Sequence, residues 1–349
     1  MEVSKNTMPK VAILLTNSLQ TSYGGIGPFV KNLDVHLNDH YQLRYFSLSE
    51  KFEHVTIIPH RLLYLVYLFS KYFTLRKYEF IISHSHEGSF VASVLGLPFV
   101  HVFHGNDNPV SISRFWYGKY FASLFDYMSR TISRNSLISY TVGNEMDGRK
   151  KILNPISHDI AVRDASSKSG FIFAGRLESG KRIGRLIDAY ALLPFETREL
   201  NTFKIAGRGS QFDFLKSKIA SLGLEGQVQL IGNLDNKALV EEISTKKILL
   251  MASEFEGFPM AIAEALSVAV PVISTGVGDI PSFVVSGENG ILVEKDYLDT
   301  DYKTAIETIL SDYDRFSQNA YVSGKVFDAK KITEDLVKDL DRIRNKAAN

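Results

Sequence analysis

The 349-residue chain contains no cysteine. This absence excludes disulfide bonds, thiolate metal sites and cysteine nucleophiles, and it is compatible with a reducing cytoplasm. The chain also lacks an apolar run of the roughly 18 residues that span a bilayer, and its longest apolar run covers only residues 62–69. Residues 1–10 are polar and lack the apolar region of a signal peptide. We therefore expect a cytoplasmic protein.

Net charge is small as well, because 40 Lys and Arg nearly balance 39 Asp and Glu. This balance gives no whole-molecule argument for nucleic acid as a partner, and we expect none. The distribution is uneven, since residues 1–156 carry 16 basic against 11 acidic residues and the remainder carries 24 against 28. The sequence therefore predicts that the first part of the chain faces something anionic.

Short apolar runs alternate with segments of helical spacing, which predicts an α/β fold. In the first half, runs typical of buried strands cover residues 11–15, 43–48, 80–83 and 99–103. In the second half, such strands fall within residues 171–174, 203–209, 228–232 and 248–251. The length suits two domains. We expect two Rossmann-like domains, each a doubly wound parallel sheet, covering residues 1–162 and 163–349 with a polar linker at 163–169.

A glycine-rich loop follows the first predicted strand. Gly24 and Gly25 precede a segment of helical spacing, where backbone N–H groups can receive a phosphate. A plain turn explains this loop equally well. A dinucleotide site of the G-x-G-x-x-G type is disfavoured because its third glycine position is Val30.

Side chains able to bind a ligand follow other predicted strands. His104 comes after the run 99–103, and Arg176 and Lys181 follow the run 171–174. An open α/β sheet binds ligands at the carboxyl ends of its strands. A guanidinium and an ammonium at that edge can stabilise the growing charge of a departing diphosphate without a metal. The alternatives are a structural histidine and a solvated basic turn.

Two glutamates are held on one segment of the second half. Gly257 permits a sharp turn, and Pro259 suits the first position of a helix. We therefore expect Glu256 in the loop and Glu264 more than a turn inside the helix. A helical rise separates their carboxylates by roughly 12 Å, more than the about 5–9.5 Å of a glycosidase pair. This spacing favours contacts by the two glutamates to opposite ends of one long ligand, such as a sugar joined to a nucleotide. Alternatively, both glutamates are ordinary acids near a helix start.

The same segment contains the pattern Ser253, Glu256-Gly257-Phe258-Pro259, Glu264-Ala265-Leu266 and Pro271-Val272-Ile273. This pattern resembles the signature of retaining glycosyltransferase family 4, which has the GT-B fold. The resemblance implies two Rossmann-like domains facing a cleft, and retaining, metal-independent sugar transfer with no cofactor. The implied donor is a nucleotide-diphosphate sugar, which we expect to be a UDP-sugar. The implied acceptor is a glycan or a lipid-linked molecule, as in bacterial-type assembly of surface polysaccharides or glycoconjugates.

Individual residues match functional positions of that family. The matching catalytic positions are His104 for the donor sugar, Arg176 and Lys181 for the diphosphate, and Glu256 of the two spaced glutamates. The donor-binding positions that the resemblance implies are Gly24, Gly25, Gly207, Gly232, Gly257, Phe258, Pro259 and Glu264. Backbone amides at Gly207 and Gly232 are expected near the nucleotide base.

The sequence departs from the family pattern at Ala269, where a glycine is usual, and we expect only a small packing change there. Residues 278–282 also depart from the pattern, so no donor sugar is predicted. The resemblance makes 1–162 the acceptor-side domain and 163–349 the donor domain, whose last helix, about 329–344, packs back on the first domain. Asp299-Thr300-Asp301 resembles a metal-binding Asp-x-Asp, but we interpret it as the cap of a helix over 302–310.

Two other functions are compatible with parts of this pattern. A catalytically silent sugar-nucleotide-binding subunit would keep the donor site, although the intact Glu256, His104, Arg176 and Lys181 argue against it. A nicotinamide oxidoreductase is disfavoured by Val30 and by the glutamate pattern. A nucleotide-binding screen and a transfer assay separate these possibilities.

Two segments suggest an anionic membrane surface as a partner. Residues 61–77 carry four basic side chains and no acid alongside the apolar Leu62, Leu63, Leu65, Val66, Leu68, Phe69 and Phe73. Residues 114–134 interleave aromatic with basic side chains. Such composition suits the headgroup boundary, where a lipid-linked acceptor would be presented. Burial of both segments against their own sheet is the alternative. The predicted location is therefore cytoplasmic, with peripheral attachment to the inner face of a membrane.

Overall fold

The structure is a computed structural model that describes residues 8–17, 19, 26–48, 60–104, 118–142, 148–157, 160–256 and 260–348. The chain divides into two compact units. The first unit comprises Met1–Ser157 together with Ala329–Asn349, and the second comprises His158–Asp328.

A six-stranded parallel sheet forms the centre of each unit. The strands of the first unit are β1 (Lys10–Leu14), β2 (Gln42–Phe46), β3 (Phe80–Ser83), β4 (Phe99–Phe103), β5 (Ile138–Thr141) and β6 (Lys150–Lys151). Those of the second are β7 (Phe171–Ala174), β8 (Phe203–Ala206), β9 (Val228–Gly232), β10 (Ile248–Leu250), β11 (Val272–Thr275) and β12 (Gly290–Val293). The central strands are nearly continuous apolar runs because helices cover both faces of a parallel sheet.

The described helices lie mostly in the crossovers between these strands, and the last three follow β12. They are α1 (Ile26–Leu37), α2 (His60–Ser70), α3 (Tyr72–Leu75), α4 (His86–Val94), α5 (Gly118–Asn135), α6 (Ile183–Ala191), α7 (Phe195–Leu200), α8 (Phe212–Ser221), α9 (Asn236–Ser244), α10 (Met260–Ser267), α11 (Asp299–Ser311), α12 (Tyr313–Gly324) and α13 (Ala329–Ala348). Short 3-10 helices cover Ala165–Ser167, Ser179–Lys181, Ile280–Ser282 and Lys325–Phe327. No described helix combines the length and the apolarity that crossing a bilayer requires.

Strand order locates the binding edge of each sheet. The first sheet runs β2-β1-β3-β4-β5-β6, and the second runs β12-β11-β10-β7-β8-β9. In the first sheet, the strands that follow β1 are added on one side of it and then on the other, so the strand order reverses between β1 and β3. The strand order of the second sheet reverses in the same way between β7 and β10. Ligands of doubly wound sheets bind beyond the carboxyl ends of the strands at such reversals. Two doubly wound parallel α/β units are thereby confirmed as the fold.

The last helix, α13, belongs to the first unit. Leu336, Val337 and Leu340 of this helix join the core formed by α1 and one face of the first sheet. The Tyr140 hydroxyl on β5 donates to Asp339 Oδ2 over 2.7 Å. The chain therefore returns to the first sheet after completing the second, and buried apolar contacts and a buried hydrogen bond hold it there.

Two helix ends differ from the sequence-based expectations. Helix α11 begins at Asp299 rather than at residue 302, so the aspartates lie in its first turn, where Asp301 Oδ2 accepts a hydrogen bond from the Leu298 N–H at 2.8 Å. Ala269 follows α10 with a left-handed φ of 58°. The Val270 N–H donates to Ala265 O and the Ala269 N–H to Leu266 O, a pairing that favours glycine at position 269. The methyl group of Ala269 thus imposes a conformational cost rather than a small packing change.

Candidate functional site

Two loops meet at the reversal point of the second sheet. One follows β7 and includes the 3-10 helix Ser179–Lys181, and the other follows β10. The Glu254 N–H donates to the Gly180 carbonyl over 2.9 Å and ties the loops together. The residues after both strands therefore share the edge where an open α/β sheet binds its ligand.

Lys181, Ser253 and Glu256 form a polar cluster in these loops. Glu256 Oε1 accepts hydrogen bonds from Lys181 Nζ and, at 2.6 Å, from Ser253 Oγ. The lysine and glutamate side chains are only 17% and 10% exposed. Thr275 Oγ1 donates to the Ser253 carbonyl over 2.6 Å and fixes the strand end that supports the cluster. Glu256 Oε2 has no partner among the described residues and is the atom left for a ligand.

Arg176 lies on the β7 loop and is exposed. Its guanidinium makes no hydrogen bond or ion pair within the described part of the chain, in contrast to that of Arg182, whose Nε donates to Glu254 Oε1 over 2.8 Å. A guanidinium without an internal partner at a strand end is available for an anion, and it can bind a phosphate with two parallel hydrogen bonds.

Glu264 lies on α10 with only 3% of its surface exposed. Asn236 Nδ2 at the start of α9 donates to Glu264 Oε1 over 2.7 Å. Burial raises the pKa of the Glu264 carboxyl to about 7, and the hydrogen bond from Asn236 lowers it only in part. No described cation pairs with this carboxylate. A buried acid without a cation is destabilising, which makes it a functional candidate.

The predicted glycine positions differ in what they do. A side chain on Gly207 would place its Cβ only 1.8 Å from the Gly175 carbonyl oxygen, so this glycine permits the close approach of the loops after β7 and β8. Its N–H donates to the Gly232 carbonyl over 2.7 Å and is not free to bind a base. Gly232 has a left-handed φ of 73° and open space around its Cα.

His104 directly follows β4 in the first unit and is half-buried. Its Nε2 lies 2.8 Å from Nδ1 of His84, which follows β3. Burial, with a smaller contribution from His86, lowers the pKa of His104 to about 3, so the imidazole is neutral at physiological pH. Sequence reasoning did not assign His84, although its position at a strand end was the available signal.

The other predicted positions lie outside the described residues. They are Gly24, Gly25, Gly257, Phe258 and Pro259. Sequence reasoning also left Asn236 and Thr275 unassigned, because only the folded chain brings them to Glu264 and Ser253. In the described ranges, no group of three or more His, Asp or Glu side chains is arranged to hold a metal ion.

The geometry above defines a doubly wound α/β protein with polar groups gathered at the ligand-binding edge of its second sheet. Residues 161–323 match the family described as "Glycosyl transferases group 1". An uncharacterized glycosyltransferase of Methanocaldococcus jannaschii, MJ1178, is 24% identical over 306 residues, or 81% of this chain and 84% of that protein.

A second relative is named "GalNAc-alpha-(1->4)-GalNAc-alpha-(1->3)-diNAcBac-PP-undecaprenol alpha-1,4-N-acetyl-D-galactosaminyltransferase" and comes from Campylobacter jejuni. It is 29% identical over 204 residues, which cover 56% of this chain and only 55% of that protein. Among solved structures, Anabaena Alr3699/HepE in complex with UDP and glucose has a TM-score of 0.70 and 17% identity, covering 96% of this chain and 100% of that one. Residues 161–323 therefore belong to the group 1 glycosyltransferase family, and the chain as a whole has the GT-B fold. Both findings confirm the fold and the class of enzyme that the sequence resemblance implied.

Proposed function

We propose that the protein is a retaining glycosyltransferase that moves a sugar from a UDP-sugar to a glycan or lipid-linked acceptor in the assembly of surface polysaccharides or glycoconjugates. The observation that carries this proposal is the cluster of Lys181, Ser253 and Glu256 at the reversal point of the second sheet. The Anabaena structure that shares the fold is a complex with UDP and glucose, which supports a UDP-sugar. The Campylobacter relative's name includes an undecaprenol-linked glycan, which supports a lipid-linked acceptor.

Each polar group has an assigned role in this proposal. The bond between the anomeric carbon and the donor phosphate breaks, a bond to the acceptor oxygen forms, and the acceptor proton passes to the departing diphosphate. Arg176 and Lys181 stabilise the charge on that leaving group, so no metal is required. Glu256 and His104 orient the sugar, and Glu264 accepts hydrogen bonds from the ribose. Attack on the face from which the diphosphate leaves preserves the anomeric configuration.

A purified-protein assay tests the proposal. We expect UDP release from at least one member of a UDP-sugar panel, and transfer when glycan or lipid-linked acceptors are added. Lys181→Ala should lower turnover on the order of 100-fold because it removes charge stabilisation from the transition state. Lys216→Ala is the matched control, since Lys216 is exposed on α8.

The same assay distinguishes a glycosyltransferase from a catalytically silent binding subunit. A protein that binds a UDP-sugar but neither hydrolyses nor transfers it, with any acceptor in the panel, is a silent binding subunit. The product also reports the stereochemistry, since NMR of an inverted anomeric centre would exclude retention.

We also propose that the first unit meets an anionic membrane surface through α2 and α3. Exposed apolar side chains at helical spacing form a stripe on this segment: Leu62, Val66, Phe69 and Phe73, which are 44–77% exposed. Lys71, Arg76 and Lys77 flank the stripe. Tyr64 and Leu68 point into the core instead, so the segment has one buried and one exposed apolar face. The stripe and its cations suit the headgroup boundary of an anionic bilayer.

Vesicle flotation tests this membrane surface. We expect binding to anionic but not neutral vesicles at low salt, because each near-surface cation contributes about 1 kcal/mol. Serine at Phe69 and Phe73 together should abolish flotation, whereas Leu200→Ser, at a position 74% exposed in the second unit, should not. Equal flotation of all three proteins would exclude the stripe. In the second predicted segment, Arg114 to Tyr117 lie outside the described residues.

A further inference from the structure

His84 and His104, the residues that directly follow β3 and β4, form a pair inside the first unit. His84 Nδ1 and His104 Nε2 are 2.8 Å apart. Backbone hydrogen bonding holds His84 in place, since its N–H donates to the Leu14 carbonyl over 3.0 Å. The ring of Phe29 on α1 meets the His104 ring edge-on, with centroids 4.8 Å apart and an interplanar angle of 88°. One hydrogen bond and one aromatic contact therefore constrain the His104 ring.

Both imidazoles of this pair are neutral. Burial lowers the pKa of each imidazole; His104 disfavours protonation of His84 further, and His86 disfavours protonation of His104 further. His101 also lies near the pair, and burial lowers its own pKa well below the usual range. A hydrogen bond between neutral imidazoles needs one N–H and one lone pair. The tautomer of His104 is therefore coupled to that of His84.

This coupling leaves one nitrogen of His104 for a ligand. If Nε2 accepts from His84, Nδ1 carries the proton and donates; if Nε2 donates, Nδ1 accepts. Nδ1 has no hydrogen-bond partner in the part of the chain that the structure describes. The direction of the hydrogen bond to His84 therefore decides whether Nδ1 of His104 donates or accepts.

We propose that His84 is a positioning residue that fixes the tautomer and the ring orientation of His104, and thereby the hydrogen bond that His104 Nδ1 makes to a sugar hydroxyl. This inference rests on the proposed sugar contact of His104. It differs from an ordinary packing role for a core histidine, because packing alone would require neither a polar atom at the Nδ1 position nor coupling to His104.

Two substitutions of similar polarity separate positioning from packing. The amide of His84→Asn lies near the position of Nδ1 and keeps a partner for His104, whereas the amide of His84→Gln lies near Nε2 and does not. We expect His84→Gln to lower kcat about tenfold or more, with a smaller effect on the donor KM, and His84→Asn to retain most activity. Equal activities of the two variants would overturn the proposal.

A double-mutant cycle tests whether His84 acts through His104. In a His104→Ala background, His84→Gln should cause no further loss of kcat, because the group that it positions is gone. Independent, multiplying losses would overturn the proposal. His84→Asp should also introduce pH dependence between about pH 4 and 6, since a carboxylate beside His104 raises its pKa from about 3. A flat profile in this variant would count against the pairing.

A measurement that does not depend on enzymatic activity distinguishes failure of this inference from failure of the proposed function. NMR of the imidazole nitrogens should show one His104 tautomer in the wild-type protein and a mixture in His84→Gln. A single His104 tautomer in His84→Gln, as in the wild-type protein, would overturn the positioning role even in an active enzyme. A wild-type protein without transfer activity would overturn the proposed function, and with it the catalytic consequence of the pair.

Discussion

The buried carboxyl of Glu264 should lower the free energy of unfolding at neutral and higher pH. Its ordinary pKa of 4.5 is raised by burial to about 7. The folded state therefore binds this proton more tightly than the unfolded chain does, and the free energy of unfolding falls as the pH rises from about 4.5 through about 7. At pH 8 the difference between the two pKa values corresponds to about 3 kcal/mol.

Glu264→Gln removes this penalty with little change of shape, and its amide oxygen can still accept from Asn236. We expect the variant to exceed the wild-type free energy of unfolding by up to about 3 kcal/mol at pH 8, and by under about 1 kcal/mol at pH 5. Urea unfolding without ligand measures both values, with the transition of the second unit followed separately if the units unfold apart. Glu225→Gln, at an exposed position of the same unit, is the control.

The same substitution should weaken donor binding. A neutral amide accepts hydrogen bonds from ribose hydroxyls less strongly than a carboxylate, so we expect UDP affinity to fall about tenfold. A variant that is more stable but binds UDP less tightly indicates that the wild-type residue is retained for function. Unfolding free energies that stay parallel for Glu264→Gln and wild type between pH 5 and 8 would refute this reasoning. Asp34 in the first unit, whose pKa burial also raises to about 7, contributes equally to both proteins and cancels.

Further substitutions test the other groups. Arg176→Ala should lower kcat on the order of 100-fold while leaving the unfolding midpoint unchanged, and wild-type turnover would remove it from the diphosphate site. Glu256→Ala should slow the chemical step more than it weakens UDP binding, the opposite balance to Glu264→Ala, and single-turnover kinetics with binding titrations separate the two effects. Ala269→Gly should raise the free energy of unfolding by up to about 1 kcal/mol, because glycine relieves the left-handed strain at the end of α10; a less stable variant in urea titrations would contradict this.

Periodicity in the sequence was sufficient for most strands, although β5 and β6 were not predicted. The run 171–174 corresponds to β7 and the run 99–103 to β4 without a shift, because a strand buried on both faces must be apolar throughout. Helix starts were less predictable, since acidic residues suit both the cap and the first turn. The helix expected from residue 302 begins at Asp299 for this reason.

Sequence also proved insufficient where a polar segment is buried. The segment 163–169 has the composition of a linker, yet Lys168 is only 2% exposed. Its Nζ donates to the carbonyls of Val268 and Ala269 at 2.8 and 2.7 Å, capping the end of α10. Local composition could not reveal this contact because its acceptors lie about 100 residues away.

By itself, the sequence determined the α/β class, most of the strands and the positions of the candidate ligand groups after them, because these follow from local patterns of apolar side chains and from turn residues. Tertiary structure alone decided which groups meet: Lys181 with Glu256, Asn236 with Glu264, His84 with His104. It also decided their protonation, since the pKa of Glu264 is raised and that of His104 lowered by burial. Pairing and burial depend on the order of strands in the sheets, because that order brings together loops that are far apart in the chain. A local sequence pattern does not encode which distant loops meet.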